Sequence, residues 1–132
     1  MRTGKGSPRD HIMIVLFGLK NCDRCRAARR WLEARGAAVR LVDLRETPPD
    51  GETIDRWIDA VGLDHLLNRR SRTWTSLPPG ERDRDDPAHL RRLLLTHPAL
   101  IRRPVIDLGR RILVGFSPAI RESLEAALET AS

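Results

Sequence analysis

Cys22 and Cys25 are the only cysteines in a chain of 132 residues, and two residues separate them. A C-x-x-C of this kind begins three chemistries: a metal clip, a structural disulfide and a redox dithiol. The local sequence, GLKNCDRCRAARRW over residues 18–31, narrows the choice. A zinc site needs two more ligands, and His11, His65, His89 and His97 offer no pair at finger spacing. A chain of this length can bury a core without covalent staples, which weakens the disulfide reading. The redox reading is favoured when the first cysteine lies at the start of a helix. Unpaired backbone N–H groups and the positive end of the helix dipole there stabilise a thiolate, and Lys20, Arg24 and Arg26 add positive charge. Cys22 would attack a disulfide, and Cys25, one helical turn on, would resolve the mixed disulfide. A packing role for Cys25 stays open, because it falls on the apolar stripe of the same helix.

The elements needed to position this pair are legible around it. IMIVLF, residues 12–17, is a short continuous apolar run, suited to a strand buried on both faces, with Gly18 ending it. Residues 23–35 keep helical spacing in Cys25, Ala28 and Leu32, and Gly36 marks a stop. AVRLVDL at 38–44 reads as a second strand, which makes the opening a βαβ unit. Helices are expected near 52–60, 63–67 and 87–96, with an exposed loop or short helix across the polar stretch between the last two. PVIDL at 104–108 and ILVGF at 112–116, joined by Gly-Arg-Arg, are expected to be antiparallel strands. A final helix over 118–128 has Ser117 as N-cap and Pro118 at its first position. The order βαβ, helices, ββα predicts an α/β thioredoxin-like fold with a mixed sheet, occupying residues 12–132 with a helical insertion at about 50–100. Residues 1–11, rich in Gly, Ser, Pro and charge, read as a flexible leader.

Composition bounds the partners. The net charge of +6 raises a polyanion, yet the 24 basic residues are spread along the chain among 18 acidic ones. Two Phe and three Trp are too few for a base-stacking platform, so nucleic acid is not the favoured partner. Trp31 and Trp57 lie on apolar stripes and are expected to pack rather than bind, whereas Trp74 has no clear assignment. Neither a membrane-spanning run of about 18 apolar residues nor a secretory h-region is present, so the expected location is the cytoplasm. In that compartment a close cysteine pair points to catalysis or metal binding more than to a permanent disulfide.

Three segments together, FGLKNCDRCRAARRWLEARG, LLNRRSRTW and HPALIRRPVIDLGRRILVGFSP, resemble the arsenate reductase-like family that includes ArsC, Spx and YffB. The resemblance spans residues 12–128 and is nearest the YffB type, while the second cysteine is shared with Spx. It implies that Cys22 is the nucleophile, that Cys25 and Arg103 complete the catalytic group, and that Arg103-Pro104 is the family's Arg-Pro pair with a cis bond. It further implies Asn21, Arg69, Arg70 and Pro104 beside the substrate, no bound cofactor or metal, and glutathione, glutaredoxin or thioredoxin as reductant. Three arginines hold the oxyanion in glutaredoxin-linked arsenate reductases. Only Arg103 matches, with Asn68 and Gly115 at the other two places, so arsenate itself is expected to be a poor substrate. The expected function is a thiol-dependent oxidoreductase. The alternative is an Spx-like redox switch that binds the RNA polymerase alpha subunit, with Arg102 and Arg103 as contacts.

Overall fold

The computed structural model describes residues 13–131; the expected leader at 1–11 lies outside them. The described residues divide into two compact units: residues 13–42 with 103–131, and residues 43–102.

The first unit carries the sheet. β1 (Met13–Gly18) is followed by α1 (Asp23–Glu33), β2 (Ala38–Asp43), and, after the second unit, by β3 (Val105–Asp107), β4 (Ile112–Val114) and α7 (Pro118–Ala131). The strand order is β2-β1-β3-β4. β3 runs antiparallel to β1, with Leu16 opposite Ile106, and antiparallel to β4, with Ile106 opposite Leu113. β2 reaches the far side of β1 through the helical crossover α1, and the sheet is mixed, as the sequence predicts. Ile14, Leu16, Ala28, Leu32, Ile106, Leu113, Leu124 and Leu128 form one apolar cluster between the sheet and the helices. This is the layered arrangement that buries one stripe of each helix.

β1 differs from expectation in one respect. Ile14 and Leu16 are fully buried, but Val15 and Phe17 are half-buried and Met13 is 58% exposed, so only one face of the strand is sealed. An unbroken apolar run signals burial but does not say how completely the second face is covered. Gly18 is the last residue of the strand rather than a break after it.

Local signals set the ends. Gly36, at φ 87°, turns the chain out of α1 into β2 in the left-handed region that favours glycine. Ser117 Oγ accepts from the Ile120 N–H at 3.3 Å and caps α7, which starts at Pro118 as expected. Trp31 is half-buried, edge-on to Phe116 at 5.8 Å, and lies beneath the Arg35 guanidinium, which also pairs with Glu125.

The second unit is helical: α2 (Gly51–Val61), α3 (Leu63–Leu66), α4 (Arg72–Thr75), α5 (Pro79–Arg82) and α6 (Pro87–Thr96), then a 3-10 turn at Pro98–Leu100. Asp50 caps α2 through the Thr53 N–H at 2.8 Å, and Asp86 caps α6 through the His89 N–H at 3.2 Å. Arg91 on α6 grips Asp55 on α2 with two hydrogen bonds, at 2.6 and 3.1 Å. The stretch expected to be an exposed loop or a short helix contains two single-turn helices, because Trp74 and Leu77 are buried and anchor it.

Ile106, buried on the central strand β3, gives the fold a direct test. Ile106→Ala is expected to lower the unfolding free energy by about 2–5 kcal/mol, and Met13→Ala by less than about 0.5 kcal/mol, in urea melts. Equal losses at the two positions would contradict this placement of the sheet.

Candidate functional site: the Cys22–Cys25 dithiol

The turn between β1 and α1 holds Cys22, and the first turn of α1 holds Cys25, both as free thiols. Its backbone is closed by the Cys22 N–H donating to the Leu19 carbonyl at 3.1 Å, and α1 begins with the Arg26 N–H donating to the Cys22 carbonyl at 3.0 Å. Cys22 is therefore the N-cap residue, in extended conformation at φ −89° and ψ 121°. Its place at the helix start is the one the sequence implies. Cys25 follows in the first turn and is completely buried, whereas Cys22 is half-buried and meets solvent.

The two thiols have opposite electrostatics. Burial is the strongest influence on Cys22 and opposes its ionisation. It is outweighed by the Cys25 N–H and thiol, the Arg24 N–H and the Arg103 guanidinium, so the Cys22 pKa falls below the ordinary thiol value. No side-chain cap of ordinary hydrogen-bond geometry closes from Cys22. The helix N–H groups act on its sulfur as nearby donors favouring the anion rather than as a formed cap. At Cys25 burial dominates in the other direction and, with the Cys22 sulfur adding to it, pushes the pKa up to about 11 despite the Leu19 N–H and Arg103. The result is one thiolate-prone sulfur at the surface, with a protonated thiol behind it that donates to it.

Arg103 is the guanidinium whose charge acts on both sulfurs. It precedes Pro104 across a cis peptide bond, as expected. Buried Pro104 accepts from the Gly115 N–H at 2.8 Å, tying the start of β3 to the end of β4. The structure thus brings Cys22, Cys25 and Arg103 together within the first unit. The cationic help expected of Lys20, Arg24 and Arg26 takes a different form. Arg24 contributes its main-chain N–H, and Arg26 pairs with Asp23 at 2.6 Å on the exposed face of α1. Asn21 is exposed in the turn.

Arg69 and Arg70 belong to the second unit. Arg69 pairs with Asp64 at 3.1 Å and lies 5.6 Å over the Trp74 ring, while the Arg70 N–H donates to the Asn68 side-chain oxygen at 3.0 Å. Arg102 in the same unit donates from Nε to the His65 carbonyl at 2.9 Å. The sequence reading missed Leu19, whose carbonyl and N–H serve one cysteine each. Main-chain donors leave no trace in residue type, and only the tight spacing between strand and helix hinted at them.

Sheet, crossover helix and a C-x-x-C at the strand-to-helix turn define a thioredoxin-like protein. The chain belongs to the ArsC family, which it matches over residues 17–123. It is similar to a solved structure of a protein called YFFB, at 36% identity and a TM-score of 0.80, covering 87% of this chain and 98% of that one. It is also similar to an arsenate reductase (ArsC) related protein from Brucella melitensis, at 36% identity and a TM-score of 0.70, covering 86% and 94%. The global transcriptional regulator Spx of Streptococcus agalactiae is 28% identical over 107 residues, 80% of this chain and 77% of the relative.

Removing a donor to the Cys22 thiolate must raise its pKa and lower the thiolate fraction at neutral pH. Cys25→Ala and Arg103→Gln are each expected to slow iodoacetamide alkylation of Cys22 several-fold at pH 7, with the difference from wild type closing as the pH rises past the ordinary thiol range. Unchanged or faster alkylation in both variants would show that neither group supports the thiolate.

Proposed function

We propose that the protein is a thiol-disulfide oxidoreductase in which Cys22 is the nucleophile, Cys25 the resolving thiol and Arg103 the charge that favours the attacking thiolate. One observation carries this reading: the solvent-accessible thiol is the one made acidic, and its buried neighbour is held protonated. The Cys22 thiolate attacks one sulfur of a substrate disulfide, forming a mixed disulfide and expelling the other sulfur as thiolate. Cys25 loses its proton and attacks the Cys22 sulfur, releasing the second substrate thiol and leaving an intramolecular Cys22–Cys25 disulfide. A two-electron dithiol reductant, either two glutathiones or thioredoxin, restores the pair, with glutaredoxin as a further partner of the glutathione route.

Arsenate fits this site less well than a disulfide. A multiply charged oxyanion must approach a sulfur that is itself anionic, and several convergent guanidiniums are needed to offset that repulsion. At the place of one of the family's arginines stands Gly115, with φ 92°, a backbone conformation in which any side chain would be strained. At another stands Asn68, whose side-chain oxygen is occupied by a backbone N–H. Asn21 and Pro104 would then line the approach to a sulfur substrate, and Arg69 and Arg70 would not serve as an oxyanion clamp.

The similarity to Spx supports a second reading, a redox-responsive regulator that contacts the RNA polymerase alpha subunit through Arg102 and Arg103. A glutathionylated peptide, offered with glutathione and glutathione reductase, separates the two. The oxidoreductase is expected to turn it over at least about tenfold faster than Cys22→Ser, and to show no glutathione- and glutaredoxin-dependent arsenate reduction above that variant. Absence of peptide turnover together with a stable complex with the polymerase alpha C-terminal domain would establish the regulator instead. Robust arsenate reduction lost on Arg69→Ala or Arg70→Ala would show that the second unit supplies the missing clamp.

A further inference from the structure

We propose that Gly18 is the positioning residue of the dithiol: the absence of a side chain at the end of β1 leaves the space that holds the Cys25 sulfur against Cys22, and a single added methyl group there converts a two-cysteine device into one that stalls at the mixed disulfide. The inference rests on the dithiol reading above and extends it to a residue outside the C-x-x-C.

The geometry is specific. Gly18 is buried, and a Cβ built on it would overlap the Cys25 sulfur, closer than the 3.0 Å that real Cβ atoms keep from other heavy atoms. The same Cβ would lie 3.3 Å from the Cys25 Cβ, a tight contact that a shift of a few tenths of an ångström relieves. Gly18 carries none of the positive φ that explains Gly36, Gly109 and Gly115, so what its lack of a side chain provides is room rather than backbone freedom. Among the described residues no other atom lies within 4 Å of that Cβ once its chain neighbours are set aside, so Cys25 alone decides there whether residue 18 can be larger.

The two atoms respond unequally to such a clash. The sulfur is the end of a one-torsion side chain and can rotate to another staggered position, while the backbone and Cβ of Cys25, held in α1, need move only a few tenths of an ångström. Gly18→Ala therefore spares the fold and moves the sulfur. Cys22 is not in contact with the added group and keeps its helix N–H donors and Arg103, losing only the Cys25 thiol as a donor, so the first half of the reaction slows no more than in Cys25→Ala and survives. The second half, attack of the Cys25 sulfur on the Cys22 mixed disulfide with release of the substrate thiol, requires near-linear approach along the S–S axis and is lost with the displacement.

The experiment follows both halves with glutathione disulfide as the probe and mass spectrometry as the readout. Reduced wild type is expected to pass through a glutathione adduct at Cys22 and end as the intramolecular disulfide, with two glutathiones released per protein. Gly18→Ala is expected to form the adduct no more slowly than Cys25→Ala does, within several-fold of wild type, and to resolve it at least about a hundredfold more slowly than wild type, with the adduct as the accumulated species. A Gly18→Ala protein that resolves as fast as wild type overturns the proposal. So does one in which adduct formation falls as steeply as resolution, because the damage would then not be confined to Cys25. If Gly18→Ala does not fold, the Gly18→Ala/Cys25→Ala double variant decides: it lacks the clashing sulfur and must fold, and its failure to fold overturns the proposal. A wild type that never forms the intramolecular disulfide overturns the dithiol reading itself, an outcome distinct from any difference between Gly18→Ala and wild type.

Discussion

The balance at Cys22 between desolvation and donated positive charge is the constraint on which the rest of the site depends. A sulfur taken partly out of water resists ionisation, and no single donor offsets that cost. Two N–H groups from the first turn of α1, the Cys25 thiol and the Arg103 guanidinium do so together. Three of them come from the first turn of α1 and the fourth from the entry to β3, which explains why the site requires a helix start and that distant segment to meet. The sheet register supplies that meeting: β3 pairs directly with β1, so the segment carrying Arg103 is brought to the end of the chain's first strand.

The same arrangement divides labour between two chemically identical side chains. Burial behind α1 makes Cys25 a poor nucleophile toward anything in solution, and its pKa near 11 keeps the proton that it shares with Cys22. That proton stabilises the thiolate until Cys22 is consumed. Once Cys22 becomes a disulfide its negative charge is gone, and the part of the Cys25 shift that came from the Cys22 sulfur is relieved. In the proposed oxidoreductase, activation of the second thiol would thus be coupled to completion of the first step.

Much of this was legible in sequence because the signals were local. The C-x-x-C, the helix periodicity of Cys25, Ala28 and Leu32, the caps at Ser117 and Pro118, and the close spacing of the last two strands each state their structure within a few residues. What was not legible depends on distance or on atoms without side-chain identity. The burial of Trp74 and Leu77 inside a charged stretch requires tertiary contacts that composition hides. Lys20, Arg24 and Arg26 adjoin Cys22 in sequence, but the guanidinium of Arg103, whose charge also favours the Cys22 thiolate, comes from a distant segment that adjacency does not reveal. The contacts of Arg69 with Asp64 and Trp74 likewise join residues whose pairing no local spacing announces. Gly18 read as a strand end, and its relation to the Cys25 sulfur emerges only once the helix is laid against the strand.

The central claim is that the two thiols differ in acidity, with the exposed one the more acidic. Site-resolved NMR titration of the reduced wild-type protein, with both cysteines labelled with carbon-13 at Cβ and assigned from Cys22→Ser and Cys25→Ser, measures it directly. The account predicts that Cys22 titrates below the ordinary thiol value and that Cys25 remains protonated until the pH approaches about 11. Titration of Cys25 before Cys22, or of both together at the value of a free thiol, would contradict it.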